Sequence, residues 1–303
     1  MFGVTILGNN SALPAYNRHP TSQVVTLNDM LFLLDCGEGT QMQMNRFKIR
    51  KSRIQHIFIS HLHGDHYFGL APLLTTYSLN DRRTPLHLYA PPDLEMIIKL
   101  QVMASDSELP FPFYFHPLEK EGVLIDEPQY SIRCFKVVHR IETWGFVFQE
   151  KRKPRKINGE KIKQYSIIPT TFYEQLQWGE DFVLEDNSIV KNAEVTVANT
   201  PPKSYVYCAD TSYSPGITKH FENATMLYHE STYLKDQEER AASRNHSTAQ
   251  QAALIARAAG VQKLLIGHFS SQYENDKLFL FEDEASEVFP HVQLALEGAT
   301  YEI

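Results

Sequence analysis

The densest group of chemically competent side chains in this chain is His61-Leu62-His63-Gly64-Asp65-His66, directly after the apolar run Ile57 to Ser60. Four candidate ligands fall within six residues. Imidazole nitrogen and carboxylate oxygen suit a borderline divalent ion such as zinc, and Gly64 lets the backbone fold back so that alternate side chains converge. Two ions can share such a loop. A histidine-rich surface turn would leave this crowding of charge and imidazole without a purpose, so metal binding is the expected chemistry.

Other candidates lie far away in sequence but in one structural position. His139 follows the run Phe135 to Val138, Asp210 follows Tyr205 to Ala209, and His268 follows Leu264 to Gly267. Each run reads as a strand, and layered α/β proteins bind ligands outside the carboxyl ends of their strands. One sheet edge would therefore gather His61, His63, Asp65, His66, His139, Asp210 and His268. Asp35, after Leu31 to Leu34, reads either as a plain turn residue or as the group that orients a ligating histidine, because metal-bound imidazoles donate their other N–H to an acceptor.

The elements that must hold these groups recur as short β-rich runs separated by turns or helical patterns, the rhythm of an α/β layer protein. Strands are expected at Val4 to Leu7, Val24 to Leu27, Leu31 to Leu34, Ile54 to Ser60, Leu86 to Ala90, Ile132 to Val138, Phe146 to Gln149, Tyr205 to Ala209, Met226 to Tyr228 and Lys263 to Gly267. Asn28-Asp29 tolerates the positive φ of a tight hairpin turn. Leu70, Leu73, Leu74 and Tyr77 form one apolar helical face. A second helix is expected to start at a Ser247 cap and stop at Gly260, with Ala252, Ile255, Ala256 and Ala259 toward the core.

The rhythm breaks at Lys151 to Lys163, where seven Lys or Arg face a single Glu, and loop-like sequence continues to Glu194. We read residues 151–194 as a basic arm inserted into one domain spanning residues 1–303. The whole chain carries a net charge of −7, which excludes wholesale wrapping of nucleic acid but not a local grip on a phosphate chain. Cys36, Cys134 and Cys208 form an odd set in apolar runs and read as reduced core thiols. With no basic segment before its short apolar opening and no long apolar stretch, the sequence points to a cytoplasmic protein without a membrane partner.

The HLHGDH loop, the later His139, Asp210 and His268, and the stretches LGNNSALP and Asp35-Cys36-Gly37-Glu38-Gly39-Thr40-Gln41 together resemble the metallo-β-lactamase superfamily. Ala209-Asp210-Thr211, His229-Glu230-Ser231-Thr232, His246-Ser247-Thr248 and His268-Phe269-Ser270-Ser271 narrow the resemblance to the ribonuclease Z family. That resemblance implies a four-layer αββα sandwich, a homodimer, two zinc ions per subunit, no nucleotide cofactor, and removal of the 3′ trailer from precursor tRNA. The ligand set accepts Mn²⁺ or another divalent ion as well. By the same resemblance His61, His63 and His139 would hold one metal, Asp65, His66 and His268 the other, and Asp210 would bridge them.

Two cations roughly 3.5–4 Å apart can bind a scissile phosphate, stabilise its developing charge and make water an effective nucleophile. Asp65 would then serve as both ligand and base or orienter. The departing 3′ oxygen needs a proton, and His246 is the candidate acid. In this family Glu230 would pair with His246 and sustain its proton affinity against the positive end of the following helix.

Lys151, Arg152, Lys153, Arg155 and Lys156 lie between the His139 and Asp210 ligands, where ribonuclease Z carries a flexible tRNA-clasping arm. The stretch departs from the family's Gly-Pro-rich tip, reading Ser166-Ile167-Ile168-Pro169-Thr170-Thr171, and Gln272 stands where an Arg is common. Ser270 and Ser271 are candidate donors to phosphate oxygens. A second basic run, Arg46 to Arg53, reads equally as a hold for an acceptor stem or as a solvent-facing helix end. Two other readings share parts of this pattern. A hydrolase of a small thioester, lactam or phosphodiester would use every ligand but neither the arm nor His246, and a noncatalytic RNA-binding module would need no complete ligand set.

Overall fold

The computed structural model describes residues 1–104, 108–165 and 167–303, so Ser166 at the arm tip lies outside the described residues. Two seven-stranded sheets dominate. The first runs, in spatial order, Thr300–Glu302, Phe2–Gly8, Ser22–Leu27, Met30–Leu34, Ile54–Phe58, Leu86–Ala90 and Phe113–Pro117. The second runs Val292–Leu294, Lys263–Gly267, Met226–Glu230, Ser204–Cys208, Trp144–Glu150, Tyr130–Lys136 and Gly122–Asp126.

Both faces of each sheet are covered, which is why the interior strands are apolar on alternate and intervening positions alike. In the first sheet Leu31, Leu33 and Ile57 point outward against Leu70, Leu73, Leu74 and Tyr77 of the helix Leu70–Leu79. In the second, Val206, Leu264 and Ile266 meet Ala252, Ile255 and Ala256 of the helix Ala249–Ala259. Between the sheets lies an aromatic layer. Phe32 meets Phe148 at 5.4 Å and Phe58 meets Phe146 at 5.2 Å between ring centroids. Helix, sheet, sheet, helix is the αββα sandwich expected from the sequence.

Local chemistry explains the joints. Asn28 and Asp29 both have positive φ, and Leu27 pairs with Met30 around them. The helix expected to be capped by Ser247 is capped one residue later: Thr248 accepts from Gln251 N in a capping box, and Gly260 closes the helix in the left-handed region. Ser247 is used elsewhere, its hydroxyl donating to Thr211 O at 2.7 Å.

The chain divides into two compact units, one of Met1–Ile125, Ile132–Phe148 and Ser204–Ile303, the other of Asp126–Ser131 and Gln149–Lys203. The stretch expected to be loop-like is folded in the second unit. It holds the paired strands Lys156–Ile157 with Thr196–Val197 and Phe182–Val183 with Ile189–Val190, and the helix Tyr173–Trp178. Ile162, Ile168, Leu176, Val190 and Val195 form its own small core. Elements this short have too few residues to show a period, so their apolar residues look scattered in sequence.

Candidate metal centre

All seven side chains singled out as ligands come together in the first unit, but not along one sheet edge as expected: the His61–His66 loop follows a strand of the first sheet, and His139, Asp210 and His268 follow strands of the second. His61, His63, Asp65 and His66 leave the strand Ile54–Phe58, the last two on the short helix Gly64–Tyr67. Asp210 follows Ser204–Cys208, His268 follows Lys263–Gly267 and His139 follows Tyr130–Lys136. A Cβ on Gly64 would lie 2.3 Å from the ring of Phe68, an exposed side chain that would have to turn aside. A Cβ on Gly37 would lie 2.5 Å from the Asp65 carbonyl oxygen, which gives the Asp35–Gln41 stretch its place against the ligand loop.

The groups fall into two sets that share one residue. His61, His63, His139 and Asp210 make the first, Asp65, His66, Asp210 and His268 the second, with the ligand atoms of each within 4.8 Å of one another. Asp210 Oδ2 lies 3.6 Å from His61 Nε2 and 3.4 Å from His66 Nε2, while Oδ1 lies 3.3 Å from His268 Nε2. Asp65 Oδ2 is 3.4 Å from His268 Nε2 and accepts from Ala12 N at 2.9 Å.

Each inner imidazole is oriented from behind. His66 Nδ1 contacts Asp35 Oδ2 at 2.7 Å, and that buried carboxylate also accepts from Ser60 N and Oγ at 2.7 and 2.8 Å. His139 Nδ1 contacts Asn245 O at 2.8 Å, His61 Nδ1 contacts Ser60 Oγ at 2.9 Å, and His268 Nδ1 contacts Thr232 Oγ1 at 2.9 Å. Asp35 and His268 both adopt left-handed backbone, at φ 52° and 61°. Such conformations persist where the surroundings over-determine them.

The donor set fits a divalent cation. His66 Nε2 and Asp210 Oδ1 are buried without a hydrogen-bond partner, an uncommon state for such atoms and one a cation resolves. Burial, reinforced by neighbouring imidazoles, pushes His61 well below its ordinary pKa and His63 down to about 4, so both stand neutral and able to ligate. Burial pushes Asp210 upward, but His268 and His66 outweigh it and keep the carboxylate ionised. The His/Asp clusters form a divalent-metal site.

Glu230 and His246 meet beside the second set. His246 Nδ1 is 2.9 Å from Glu230 Oε1, which also accepts from Ser247 N at 2.9 Å and Thr211 N at 3.2 Å. Burial lowers the proton affinity of His246, yet the adjacent Glu230 carboxylate prevails and raises its pKa to about 9. A cavity of about 660 Å³ opens onto His63, Asp65, His139, Asp210, His246 and His268.

The remaining candidates lie elsewhere. Ser270 belongs to the two-residue strand Phe269–Ser270, and neither it nor Ser271 lines that cavity. Lys151, Arg152, Lys153, Arg155 and Lys156 belong to the second unit, where Lys151 pairs with Asp126 at 2.7 Å and Arg155 Nε donates to Thr196 Oγ1 at 2.6 Å. Gln272 accepts from Arg240 Nη1 at 3.1 Å. Sequence reasoning missed Arg140, which lines the cavity and lies 2.7 Å from His63 Nε2, although its place next to His139 was a signal. It also missed Ser60, at the end of the apolar run before the ligand loop, and Thr232, inside the His229–Thr232 motif.

Comparison with known proteins agrees with this geometry. A family model described as anti-Pycsar protein Apyc1 matches residues 2–154, which hold the His61–His66 loop and His139. Ribonuclease Z of Bacteroides fragilis is 39% identical over 98% of this chain and 97% of the relative. Ribonuclease Z of Cytophaga hutchinsonii is 39% identical over 99% and 96%. Among solved structures, human tRNase Z, short form, superposes with a TM-score of 0.72 at 26% identity, covering 99% of each chain. The metallo-β-lactamase fold protein YhfI from Bacillus subtilis reaches a TM-score of 0.70 at 20% identity, covering 100% of this chain and 99% of that one. Matching these ribonuclease Z relatives at 39% identity over nearly its whole length, the chain belongs to the ribonuclease Z family.

Proposed function

We propose that this protein is an endoribonuclease that removes the 3′ trailer from precursor tRNA, leaving a 3′ hydroxyl on the tRNA and a 5′ phosphate on the trailer. The observation that carries this reading is the Asp210 carboxylate shared by two ligand sets, with the Glu230–His246 pair on the same cavity. His61, His63 and His139 would hold one zinc ion, Asp65, His66 and His268 a second, and Asp210 both. When bound, the cations supply Lewis-acid charge to the scissile phosphate and make a water nucleophilic near neutral pH.

The protein's own groups supply the rest. Asp65 orients the attacking water and takes up its proton. His246, held by Glu230, gives a proton to the 3′ oxygen as the phosphorus–oxygen bond breaks. Arg140 adds a cation on the cavity wall for a phosphate oxygen. The basic arm, with Arg152, Lys153 and Lys156 exposed, grips the RNA backbone without reading sequence, as suits one shape recognised across many tRNAs.

Two further features support the assembly and setting. The helix Leu70–Leu79 exposes Leu79, which lines a groove of about 400 Å³, and the helix Asp93–Ala104 exposes Met96, Leu100 and Met103, apolar surface that a second copy of the chain would cover in a homodimer. Cys36, Cys134 and Cys208 are buried and unpaired, as expected for a cytoplasmic protein, and no helix among the described residues is long and apolar enough to cross a membrane.

The test is cleavage of a defined precursor tRNA, with bound metal quantified and product ends mapped, beside a chromogenic small diester. Metal-dependent cleavage with the stated ends is the expected result. Equal turnover of both substrates, unaffected by deleting Lys151 to Lys163, would favour a small-substrate hydrolase. RNA binding without metal-dependent cleavage would leave only a binding module.

A further inference from the structure

The hydroxyl of Thr232 stands where three functional side chains meet. Its Oγ1 lies 2.8 Å from Glu230 Oε2, 2.9 Å from His268 Nδ1 and 3.1 Å from His246 Nδ1. The side chain is buried, so no bulk water competes for these contacts. A hydroxyl has one proton to give, and an ionised carboxylate can only accept. Thr232 therefore donates to Glu230 Oε2 and accepts from imidazole N–H.

That assignment fixes the state of His268. Donation from Nδ1–H leaves the lone pair on Nε2, the atom that lies 3.3 Å from Asp210 Oδ1 and 3.4 Å from Asp65 Oδ2 within the second ligand set. The two carboxylate oxygens of Glu230 divide their duties. Oε2 serves Thr232, through its hydroxyl and through its backbone N at 2.9 Å, and Oε1 serves His246. A single buried carboxylate is thus tied to a ligand histidine through one hydroxyl and to the proton-donating histidine directly.

We propose that Thr232 is a positioning residue that couples cation binding at His268 to the placement of His246. This rests on the metal and proton-donor roles given above. A cation on Nε2 polarises the His268 ring and strengthens its Nδ1–H donation to Thr232. Hydrogen bonds in a chain reinforce one another, so the Thr232 proton is then given more firmly to Oε2. The Glu230 carboxylate is held in the orientation in which Oε1 meets His246 Nδ1. Coupling in binding free energy is reciprocal, so Glu230 in turn supports the affinity for the cation.

The experiment uses the full chain and its Thr232→Val, Thr232→Ser, Glu230→Gln and Thr232→Val/Glu230→Gln variants. Zinc affinity is measured by competition with a chromogenic chelator, and cleavage of precursor tRNA at saturating zinc. Thr232→Val is expected to lower affinity for the weaker-held zinc by about 10-fold, the lower end for an outer partner of a metal ligand, and to slow cleavage even when zinc is saturating. Thr232→Ser is expected to restore both. Glu230→Gln is expected to weaken zinc binding in the parent chain but to add nothing in the Thr232→Val background.

Unchanged zinc affinity in Thr232→Val with an intact thermal transition would overturn the proposal. So would equal effects of Glu230→Gln in both backgrounds. Should Thr232→Val fail to fold, Glu230→Gln alone decides, because full zinc affinity in that variant removes the link. A parent chain that shows the affinity coupling yet leaves precursor tRNA uncut would refute the nuclease reading instead.

Discussion

Tyr207 of the second sheet donates its hydroxyl to Oδ2 of Asp35, at the end of a first-sheet strand, at 2.5 Å, and the same oxygen lies 2.7 Å from His66 Nδ1. The two sheets are therefore tied together at the atom that orients a ligand. Burial, aided by Asp35, raises the Tyr207 pKa well above its ordinary value and keeps the phenol protonated as a donor. Tyr207→Phe leaves the Asp35 carboxylate buried and one donor short. The expected cost is about 1–3 kcal/mol of stability, read from the denaturant midpoint, with a weaker zinc affinity read by chelator competition. A variant matching the parent in both would mean that Ser60 and His66 alone hold Asp35.

His246→Ala removes the proposed proton donor and none of the seven proposed ligands. Metal content should stay at the parent level while cleavage of precursor tRNA slows by about 10²–10⁴-fold. Glu230→Gln should slow cleavage as well, because His246 Nδ1 loses its charged partner at 2.9 Å. Cleavage at the parent rate by His246→Ala would assign proton delivery to another group.

What the sequence disclosed follows from where each residue sits. The interior strands were legible, because burial on both faces leaves a compact apolar run such as Leu31 to Leu34 or Tyr205 to Cys208. Phe113–Pro117, Gly122–Asp126, Val292–Leu294 and Thr300–Glu302 escaped, and these are the strands at the four sheet edges. An edge strand pairs on one side only, is often short, and carries Pro, Gly or charge, so its pattern resembles a loop. The ligands were legible because strand-end His and Asp have few other purposes in such numbers. Ser60, Thr232 and Tyr207 were not. A hydroxyl announces no chemistry until its neighbours are known, and Tyr207 sits in an apolar run that reads as ordinary core.

The arm offers a graded test. Lys151 is paired with Asp126 at 2.7 Å and Lys153 lies 3.9 Å from Glu150, whereas Arg152 and Lys156 show no ion pair among the described residues. Neutralising Arg152 and Lys156 should raise KM for a long precursor more than neutralising Lys151. It should also reduce the slope of log affinity against log salt by about 0.7–0.9 for each RNA phosphate that the arm no longer neutralises. Minimal substrates should be little affected. An unchanged salt slope would make the arm a structural module only.

The face formed by the helices Leu70–Leu79 and Asp93–Ala104 bears on assembly. Leu100→Asp places a charge on exposed apolar surface, so the monomer's fold should survive while any pairing through that face is abolished. Sedimentation should show a dimer for the parent and a monomer for the variant, with unchanged thermal unfolding at low concentration. A dimeric variant would move the interface elsewhere.

A row of histidines away from the metal centre sets an acid limit on stability. His56 stacks on His87 at 4.9 Å, and His87 on His116 at 5.2 Å, with His87 Nδ1 3.0 Å from His116 Nε2. Burial, then repulsion from His87 and His116, lowers the His56 pKa from 6.5 to about 4. Between those values the unfolded chain binds a proton at this position and the folded chain does not, so stability falls as pH drops from 6.5 toward 4 and is full above 6.5. His56→Phe keeps a flat ring beside Phe32, 5.6 Å away, and removes the titrating group. The difference between parent and variant in urea midpoint, taken at pH 7.5 and again at pH 4.5, cancels titration at the metal centre. The variant should lose less stability on acidification, by on the order of 2 kcal/mol. Parallel acid profiles for the two proteins would show that His56 titrates alike in the folded and unfolded chains.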